Sequence, residues 1–479
     1  MEEHDPVEDL KKGFDVVVMG TGLTETILSG ILSVEGKRVL HIDKNPYYGG
    51  DGASLKLSQV FAKFRGETSK STNDPKDKDW NIDLIPKFLM ADGELARILR
   101  SLQQVQDNVQ FQQIEGSYVY RAHSGGILGL GGHSGVIKVP SNALEAATSS
   151  LVGILEKGRL KKFLEFVANY DDKSGPMYQG KNLDKELMKT IYDQFGLETA
   201  TRDFVGHAMA LYSDDGYLNL PARPTFNKIR LYASSVAMYG SSPYIYPLYG
   251  LGDLPSAFTR LSAVHGGTYM LNTEVLGFEY GADKKVSGVK IKFEDPKHDG
   301  QFIDLVINTS RVVAAPEYVP EGKKKVPTGQ NVIRAICVLK HPVKDAGDNS
   351  QIIIPQSQIG RKNDIYIAVL SDKHHVCPKG YFLAIVSTIA ERGDNPQDEL
   401  KPAFELLGAI EEKFMGNASI LWEPADSVEI EDFDNIFVSK SLDASSHLES
   451  CTDDVKYLYR CMEGKDLDID DLKKTASAE

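Results

Sequence analysis

The stretch GTGLTE, residues 20–25, constrains this chain most, because it stands between a predicted strand and a predicted helix. Phe14 to Met19 predict a buried parallel strand, Leu23 to Ser33 a helix, and Lys37 to Asp43 a second strand. A glycine-rich turn in this position is typical of the βαβ units that bind dinucleotides. The sequence therefore predicts an α/β fold with a Rossmann-type, doubly wound sheet.

The turn departs from the dinucleotide-binding pattern at its third glycine. Gly20 permits the tight turn and Gly22 permits close approach of a pyrophosphate, but Glu25 stands where glycine or alanine is usual. A carboxylate in the first helical turn is stabilised by the helix dipole, by ~0.3–1 kcal/mol, and could take the place of a bound anion. Asp43, at the end of the second strand, holds the ribose-binding position. The pattern predicts the fold and weakens the case for a bound dinucleotide.

Length and composition exclude several classes of protein. The chain has 479 residues, enough for two or three packed units, and a formal net charge of -14, so we expect no nucleic-acid binding. The four cysteines include no C-x-x-C pair, which argues against a disulfide framework and fits a reducing cytosol. The polar N-terminus predicts no signal peptide, and no apolar run reaches the roughly 18 residues of a membrane span. The C-terminus carries no prenylation box of its own.

A helical region interrupts the strands. Between about residues 142 and 239, apolar side chains recur at i, i+3, i+4 and i+7 in four segments, and Asn142 with Glu145 predicts a capping pair at the entrance. The four segments are Leu160, Phe163, Leu164 and Val167; Met188, Ile191, Tyr192 and Phe195; Val205, Ala208, Met209 and Tyr212; and Ile229, Tyr232, Ala233 and Val236. After Tyr244, short β-type runs return.

The predicted organisation is therefore a large α/β domain with an inserted all-α domain. We expect the first part of the large domain in residues 1–140, the helical domain in 141–239, the second part of the large domain in 240–460, and an acidic polar tail in 461–479.

Other conspicuous residues have ordinary structural explanations. The glycine-rich segment 121–135 lies between two strand-like runs, and a strand rather than a helix follows it, so it predicts a hairpin tip and not a phosphate-binding loop. His374, His375 and Cys377 lack spaced partners for a fourfold metal site, and His207 is expected to be a hydrogen-bonded packing residue. The sequence shows no nucleophile or zinc-protease motif, so we predict no catalytic residue and no metal.

Long stretches of the chain closely resemble one family. Among them are GTGLTETILSGILSVEGKRVLHIDKNPYYGGD, DWNIDLIPKFLMADGEL, KFLEFVANYD and SPYIYPLYGLGDLPSAFTRLSAVHGGTYMLN. They resemble the Rab GDP dissociation inhibitors, whose near relatives are the Rab escort proteins. The resemblance implies a large domain related to flavin monooxygenases, a small helical domain and no flavin. Leu442 agrees, since it stands where related flavin proteins have a glycine before Asp443 and Ala444.

The resemblance also implies a function and its residues. Members of the family bind GDP-loaded, geranylgeranylated Rab GTPases, slow GDP release, extract them from membranes and deliver them again, so a cytoplasmic monomer that cycles to membranes is expected. The Rab-binding platform of the family maps onto Tyr48, Asp253, Arg260, Thr268 and Met270. Its mobile, membrane-recruiting segment maps onto Met238 to Tyr246, including Ser242 and Tyr244, and Met238 replaces an arginine common in other members.

A soluble carrier of a prenylated protein needs an apolar slot for the lipid. A chain of about twenty carbons would lose ~0.8 kcal/mol per carbon on leaving the bilayer for water. Helices can part to admit such a chain, and the candidate walls are Phe163, Phe166, Val167, Phe204, Ala208 and Met209. Any of these residues could instead be ordinary core. Two other functions remain open from the sequence, a Rab escort protein that presents Rab to a geranylgeranyl transferase and a flavin-dependent oxidoreductase.

Overall fold

The fold is described from a computed structural model. It describes residues 6–66, 76–122, 135–141, 154–294, 300–321, 324–393, 395–425 and 434–476. The predicted capping pair Asn142 and Glu145 and most of the glycine-rich segment 121–135 lie outside these residues.

A five-stranded, wholly parallel sheet forms the centre of the fold. Val17 pairs with Leu40 on one side and with Val312 on the other, so the strand before the glycine-rich turn is the middle strand. In spatial order the strands are Thr268–Met270, Val39–Ile42, Val16–Met19, Val312–Ala314 and Ile436–Val438. The helix Leu23–Val34 connects the second and third of these, which confirms the predicted βαβ unit.

Both faces of the parallel sheet are covered, because alternate side chains of each strand point to opposite faces. Val17 and Met19 pack beneath a three-stranded antiparallel layer, formed by Glu274–Tyr280, Val286–Glu294 and Phe302–Asn308. Val16 and Val18 belong to the larger core on the other side. That core includes the helices Leu23–Val34, Asp253–Val264 and Glu449–Glu463.

A second, large sheet carries most of the β-type runs predicted after Tyr244. Its path is Glu412–Met415, Lys325–Leu339, Phe382–Ile389, Ile365–Ser371, Ser350–Ile354, Gly116–Arg121 and Gly135–Lys138, with Ser419–Pro424 also paired to Lys325–Leu339. Arg121 pairs with Gly135 in antiparallel register, so the glycine-rich segment does connect two hairpin strands. Small sheets join Leu89–Met90, Tyr244–Pro247 and Phe111–Gln113; Ser54–Leu55 and Ile82–Asp83; and Met177–Tyr178 and Lys181–Asn182.

The helical region contains the predicted helices, with one difference. Three of the four apolar patterns lie within Ile154–Ala168, Met188–Phe195 and Ala222–Tyr239, as expected. The fourth, from Val205 to Tyr212, begins within the π-helix Phe204–Met209, which follows the helix Thr199–Asp203 and ends before Tyr212. Leu211 has a positive φ of 59°, so the chain turns there and Tyr212 leaves the helix. Periodicity alone did not reveal this break.

The remaining described helices are short or peripheral. They are the α-helices Pro6–Lys11, Leu57–Arg65, Glu94–Ser101, Gln103–Gln106, Gln356–Ile359, Pro396–Glu399, Lys401–Leu407 and Ile469–Ala476, and the 3-10 turns Gly50–Gly52, Asp77–Asp79, Asp172–Ser174, Asp215–Asn219, Pro316–Tyr318 and Asp372–His374.

The C-terminal segment is part of the fold rather than a free polar tail. Cys461 and Met462 still belong to the helix Glu449–Glu463, and Ile469–Ala476 adds one more helix. Leu472 is only 3 % exposed and belongs to the larger core, as do the partly buried Leu467 and Ile469. The acidic side chains occupy the exposed face of this helix, which is why composition suggested a tail.

This packing predicts a large effect of truncating one leucine. Leu472→Ala should lower the free energy of unfolding by about 2–4 kcal/mol, because it leaves a cavity in a packed core. Thr475→Ala, at an exposed position of the same helix, should change it by about 0.5 kcal/mol or less. Urea unfolding measures both, and equal effects of the two substitutions would contradict the packing of this helix.

Candidate functional site

The glycine-rich turn is covered by the loop that carries Tyr48. The turn begins at Gly20, whose φ is +97°. The amide of Gly49 donates hydrogen bonds to the carbonyl oxygen of Thr21, at 2.9 Å, and to its hydroxyl, at 3.1 Å. Gly50 approaches Gly22 so closely that a Cβ at residue 50 would lie 3.8 Å from the Gly22 amide nitrogen. The loop therefore lies against the turn without filling the space beside it, since Gly22, Glu25 and Gly50 line a cavity of about 270 Å³.

Glu25 lies beside Gly22, where the sequence predicts its carboxyl, but not as an anion. Its carboxyl lies directly over Gly22, where a Cβ would clash with the oxygen Oε2, and the Ser439 hydroxyl donates to Oε1. The side chain is 3 % exposed, and this burial raises its pKa to about 8. The carboxyl is therefore mostly protonated at neutral pH. The expected stabilisation of a carboxylate by the helix dipole is outweighed by the cost of burying its charge.

Asp43 is fully engaged within the protein. One carboxylate oxygen accepts from the Thr21 amide at 2.8 Å and from the Thr21 hydroxyl at 2.5 Å. The other accepts from the amide and side chain of Asn45, at 2.7 and 2.9 Å, and from the Tyr318 hydroxyl at 3.1 Å. Since a carboxylate has about four lone-pair sites, none remains for a ribose hydroxyl. The residues at this turn therefore do not fit a dinucleotide.

The same region builds a rigid support for Tyr48. Tyr269 stacks on His41 with ring centroids 4.7 Å apart, and Tyr48 meets Tyr269 edge to face at 6.1 Å. The Tyr269 hydroxyl lies 3.0 Å from the hydroxyl of Ser29, which in turn donates to Ser262. These contacts tie the loop, the edge strand of the parallel sheet and two helices together.

Close helix packing completes this support. Gly30 faces the helix Asp253–Val264, and a Cβ at residue 30 would lie 3.1 Å from the ring of Phe258. Ser33 and Ser262 join the same two helices through hydroxyls 2.7 Å apart. The helix that carries Asp253 and Arg260 is thereby fixed on the helix that follows the glycine-rich turn.

The buried carboxylate of Asp83 positions the start of that helix. It accepts from the Leu251 amide at 3.0 Å and from the hydroxyls of Ser54 and Tyr246, and burial raises its pKa to about 6. Asp253 follows as the first residue of the helix. Burial raises the pKa of Asp253 to about 6 as well, and no described residue donates a hydrogen bond to its carboxylate.

The remaining platform candidates lie at accessible positions. Arg260 is exposed, and its guanidinium donates to the Asn108 side chain at 2.9 Å. Asp253 and Arg260 are seven residues apart on one helix and so share a face. Thr268 and Met270 belong to the edge strand, whose only partner among the described strands is Val39–Ile42, and both are half-buried.

Pattern reasoning missed two neighbours of the platform. Tyr269 supports Tyr48 and was not predicted. Its position between the platform candidates Thr268 and Met270 is a signal that could have identified it. Tyr249 is 52 % exposed and stacks on His375 at 4.8 Å, and both residues have a positive φ, of 70° and 55°. Tyr249 is therefore held exposed four residues before Asp253, but no sequence motif marks it.

Comparison with known proteins assigns the family. A family model described as "GDP dissociation inhibitor" matches residues 9–474. The chain belongs to the GDP dissociation inhibitor family. It is 51 % identical over 459 residues to the "Rab GDP-dissociation inhibitor" of Saccharomyces cerevisiae. The match covers 94 % of this chain and 95 % of the relative. GDP dissociation inhibitors are regulatory proteins and not enzymes.

Solved structures support the same fold. The crystal structure of Rab GDI from Plasmodium falciparum matches with a TM-score of 0.83 and 39 % identity, over 95 % of this chain and 99 % of that one. An oxidoreductase from Methanosarcina mazei matches with a TM-score of 0.56 at 13 % identity, over 93 % and 99 %. The second likeness concerns the fold alone, and it agrees with the predicted α/β architecture.

The segment predicted to recruit the protein to membranes, Met238 to Tyr246, is only partly accessible. Met238 is 44 % exposed at the end of the helix Ala222–Tyr239, next to the exposed Tyr239. Ser242 is buried and donates to the Ile114 carbonyl at 2.6 Å. Tyr244 is buried in the strand Tyr244–Pro247, so it and Ser242 are placed as internal supports.

The six candidate lipid-slot residues are all packed core. Each is at most 8 % exposed: Phe163, Phe166, Val167, Phe204, Ala208 and Met209. Phe163 and Phe166 meet Phe195 with ring centroids 5.6 and 5.1 Å apart, so the helices around them are closed. Met209 lines a cavity of about 470 Å³, but Lys228, Glu449 and Asp453 also line it, which does not suit a hydrocarbon chain.

Other candidates are explained by local contacts. Buried His374 has its Nδ1 2.8 Å from the Asn349 side chain, and burial lowers its pKa to about 4. The Cys377 thiol donates to the Tyr381 carbonyl at 3.2 Å. His207 is buried and hydrogen-bonded as expected, and its ring nitrogens face two carboxylates, those of Asp364 and Asp215, and the Tyr212 carbonyl. In the described part of the chain, no helix is both long and apolar enough to cross a bilayer.

The protonated state of Glu25 predicts a specific pH dependence. The pKa of Glu25 is higher in the folded than in the unfolded protein, so between about pH 4.5 and 8 the folded protein holds a proton that the unfolded protein has lost. The free energy of unfolding therefore falls as pH rises through this range. Glu25→Gln removes the titration. The stability of the variant relative to the unaltered protein should therefore grow between pH 5 and pH 8.5, by an amount on the order of a few kcal/mol.

Urea midpoints at pH 5, 7 and 8.5 measure this difference. Glu405→Gln, on the exposed side of the helix Lys401–Leu407, serves as the control and should follow the unaltered protein at every pH. Parallel curves for Glu25→Gln and the unaltered protein would show that Glu25 is ionised throughout.

Proposed function

We propose that this protein is a Rab GDP-dissociation inhibitor that binds GDP-loaded, geranylgeranylated Rab GTPases and keeps them soluble. The observation that carries the proposal is the full-length family match, from residue 9 to residue 474, together with the names of the relatives. The supported surface around Tyr48 and Arg260 is where such a partner would dock. The residues at the glycine-rich turn do not fit a dinucleotide, which argues against a flavin-dependent activity.

The Rab-binding platform comprises Tyr48, Asp253, Arg260, Thr268 and Met270. Arg260 would form charge-assisted pairs with carboxylates of the GTPase switch segments, and Asp253 would accept from their basic residues. Binding to the switch segments in their GDP-bound arrangement stabilises that state by linkage, so GDP release slows without any chemistry on the nucleotide. Preformed support by Tyr269 reduces the entropy lost when Tyr48 is buried against a partner.

The isoprenoid would enter the helical domain, proposed as residues 141–239, and displace part of its core. Phe163, Phe166 and Val167 would form one wall, and Phe204, Ala208 and Met209 the other. Because all six are buried in the lipid-free protein, binding requires these walls to part. The apolar surface of the lipid would then pack against both walls, so that their side chains stay shielded from water.

Delivery to membranes would use the end of the helix Ala222–Tyr239. Met238 and Tyr239 are the exposed residues there, whereas Ser242 and Tyr244 would hold the segment in place. A cytoplasmic monomer that contacts membranes transiently through its cargo fits this division of roles. Residues 1–140 and 240–460 would then form the large domain.

The platform predicts selective loss of extraction. The protein should release GDP-loaded but not GTP-loaded geranylgeranylated Rab from membranes, and Arg260→Ala or Tyr48→Ala should weaken release about tenfold or more, because each truncates a proposed contact. Sedimentation of the membranes followed by assay of soluble Rab measures this.

Matched controls separate docking from folding. Arg460→Ala and Tyr280→Ala truncate exposed residues outside the platform and should leave extraction within about twofold of normal. Extraction of both nucleotide forms alike, or equal losses for platform and control variants, would contradict the proposal.

The lipid slot makes a separate prediction. Ala208→Leu adds bulk at a fully buried wall position, which costs ~1–3 kcal/mol in the closed core and takes up space that a lipid would need between the walls. Affinity for geranylgeranylated Rab should fall about tenfold, while affinity for unprenylated Rab stays unchanged and reports intact folding. Equal loss for both ligands would place the lipid elsewhere.

A further inference from the structure

A cluster of potential metal ligands lies outside the proposed docking surface. Asp203, His207 and Asp215 each offer one ligand atom, and these atoms all lie within 4.8 Å of one another. His207 belongs to the π-helix Phe204–Met209, and Asp203 immediately precedes it. Single π-helical turns are rare and frequently occur at functional sites. Asp203 and His207 are four residues apart in the sequence, but no metal site was predicted from this spacing.

Each of the three side chains contacts a separate residue of segment 356–364, which connects two strands of the large sheet. The Asp364 carboxylate lies 2.7 Å from Nδ1 of His207. The side-chain amide of Gln356 donates to Oδ2 of Asp215 at 2.7 Å. The Ser357 hydroxyl donates to Oδ2 of Asp203 at 2.9 Å.

These partners resemble the outer shell of a metal site, in which the non-ligating atom of each ligand is held by a hydrogen bond. Asp364 is itself fixed, because its Oδ1 accepts from the Gln356 amide at 2.9 Å. A carboxylate on Nδ1 holds the proton there and leaves Nε2 of His207 to face the other ligands. Nε2 lies 3.2 Å from Oδ1 of Asp215.

We propose that Asp203, His207 and Asp215 bind a zinc ion, with Asp364 as the positioning residue on His207. One imidazole nitrogen and two carboxylate oxygens are ligands that Zn²⁺ accepts, and a water would complete a tetrahedron. Calcium and magnesium are disfavoured, since both prefer all-oxygen sites. The ion can enter from solvent, because the Asp215 side chain is 48 % exposed although His207 is buried.

The groups that face the His207 ring are the carboxyls of Asp203, Asp215 and Asp364, the Tyr212 carbonyl, which lies 3.0 Å from Nδ1, and Tyr217, whose ring centroid lies 6.4 Å away.

The site would join two parts of the fold. Asp203, His207 and Asp215 come from the helical region, whereas Gln356, Ser357 and Asp364 lie in the connection between the strands Ser350–Ile354 and Ile365–Ser371 of the large sheet. Zinc would therefore stiffen the π-helical segment against the sheet. Zinc binding goes beyond Rab docking, and its test does not depend on any Rab measurement.

Titration of the metal alone tests the site. The full-length protein, stripped with a chelator, is titrated with Zn²⁺ by calorimetry at pH 7. We expect one strong site per chain and a higher thermal midpoint with zinc than without. Absence of a saturable one-to-one site would overturn the proposal.

Variants identify the ligands. Asp215→Asn and His207→Gln should weaken zinc binding at least tenfold, and Asp364→Asn about 10–100-fold, with Asp364→Glu restoring part of the affinity. His341→Gln is the control, because both nitrogens of His341 face backbone carbonyls far along the chain from the cluster. Circular dichroism without metal checks folding, and Asp203→Asn supplies a second, half-exposed ligand variant. Unchanged affinity in the ligand variants would assign the zinc to another site and refute the proposal.

Discussion

The buried carboxylate of Asp43 is the interaction on which the central part of this structure depends. A buried anion is tolerated only when its acceptor sites are filled, and here Thr21, Asn45 and Tyr318 fill them. The backbone of Asp43 adds a further link, since its amide donates to the Met270 carbonyl at 2.9 Å. One residue thus fixes the glycine-rich turn, the start of the Tyr48 loop and the edge strand. In a dinucleotide-binding protein the same position would face the ribose.

The two ends of the glycine-rich turn differ from a dinucleotide-binding turn in different ways. At Gly22, a neutral Glu25 and the Gly49 loop border a cavity of about 270 Å³, whereas at Asp43 internal donors take the acceptor sites that a ribose would use. Loop, strand and helices around the turn share hydrogen bonds and stacked rings, which makes this region rigid. A rigid exposed surface is suited to holding a partner in one conformation, and the helical region is closely packed.

Sequence reasoning succeeded where periodicity and turn chemistry act locally. Three of the four amphipathic helices follow from side-chain spacing, and the βαβ unit and the strands after Tyr244 follow from apolar runs bounded by turn residues. It failed at Tyr212, where a positive φ at Leu211 ends a helix whose apolar pattern continues. It also took the C-terminal segment for a tail, because one buried leucine in an acidic helix is a weak signal.

The sequence by itself determined the fold class and the family, because a long apolar strand, its glycine-rich turn and extended family-like stretches are local patterns. It also located the residues proposed for Rab binding. Only the tertiary structure decided the protonation of Glu25, the saturation of Asp43 and the support of Tyr48 by Tyr269. It alone brought Asp364 to His207, which is 157 residues away in the chain. Burial and long-range contacts set these properties, and neither can be deduced from the spacing of residues along one strand or helix.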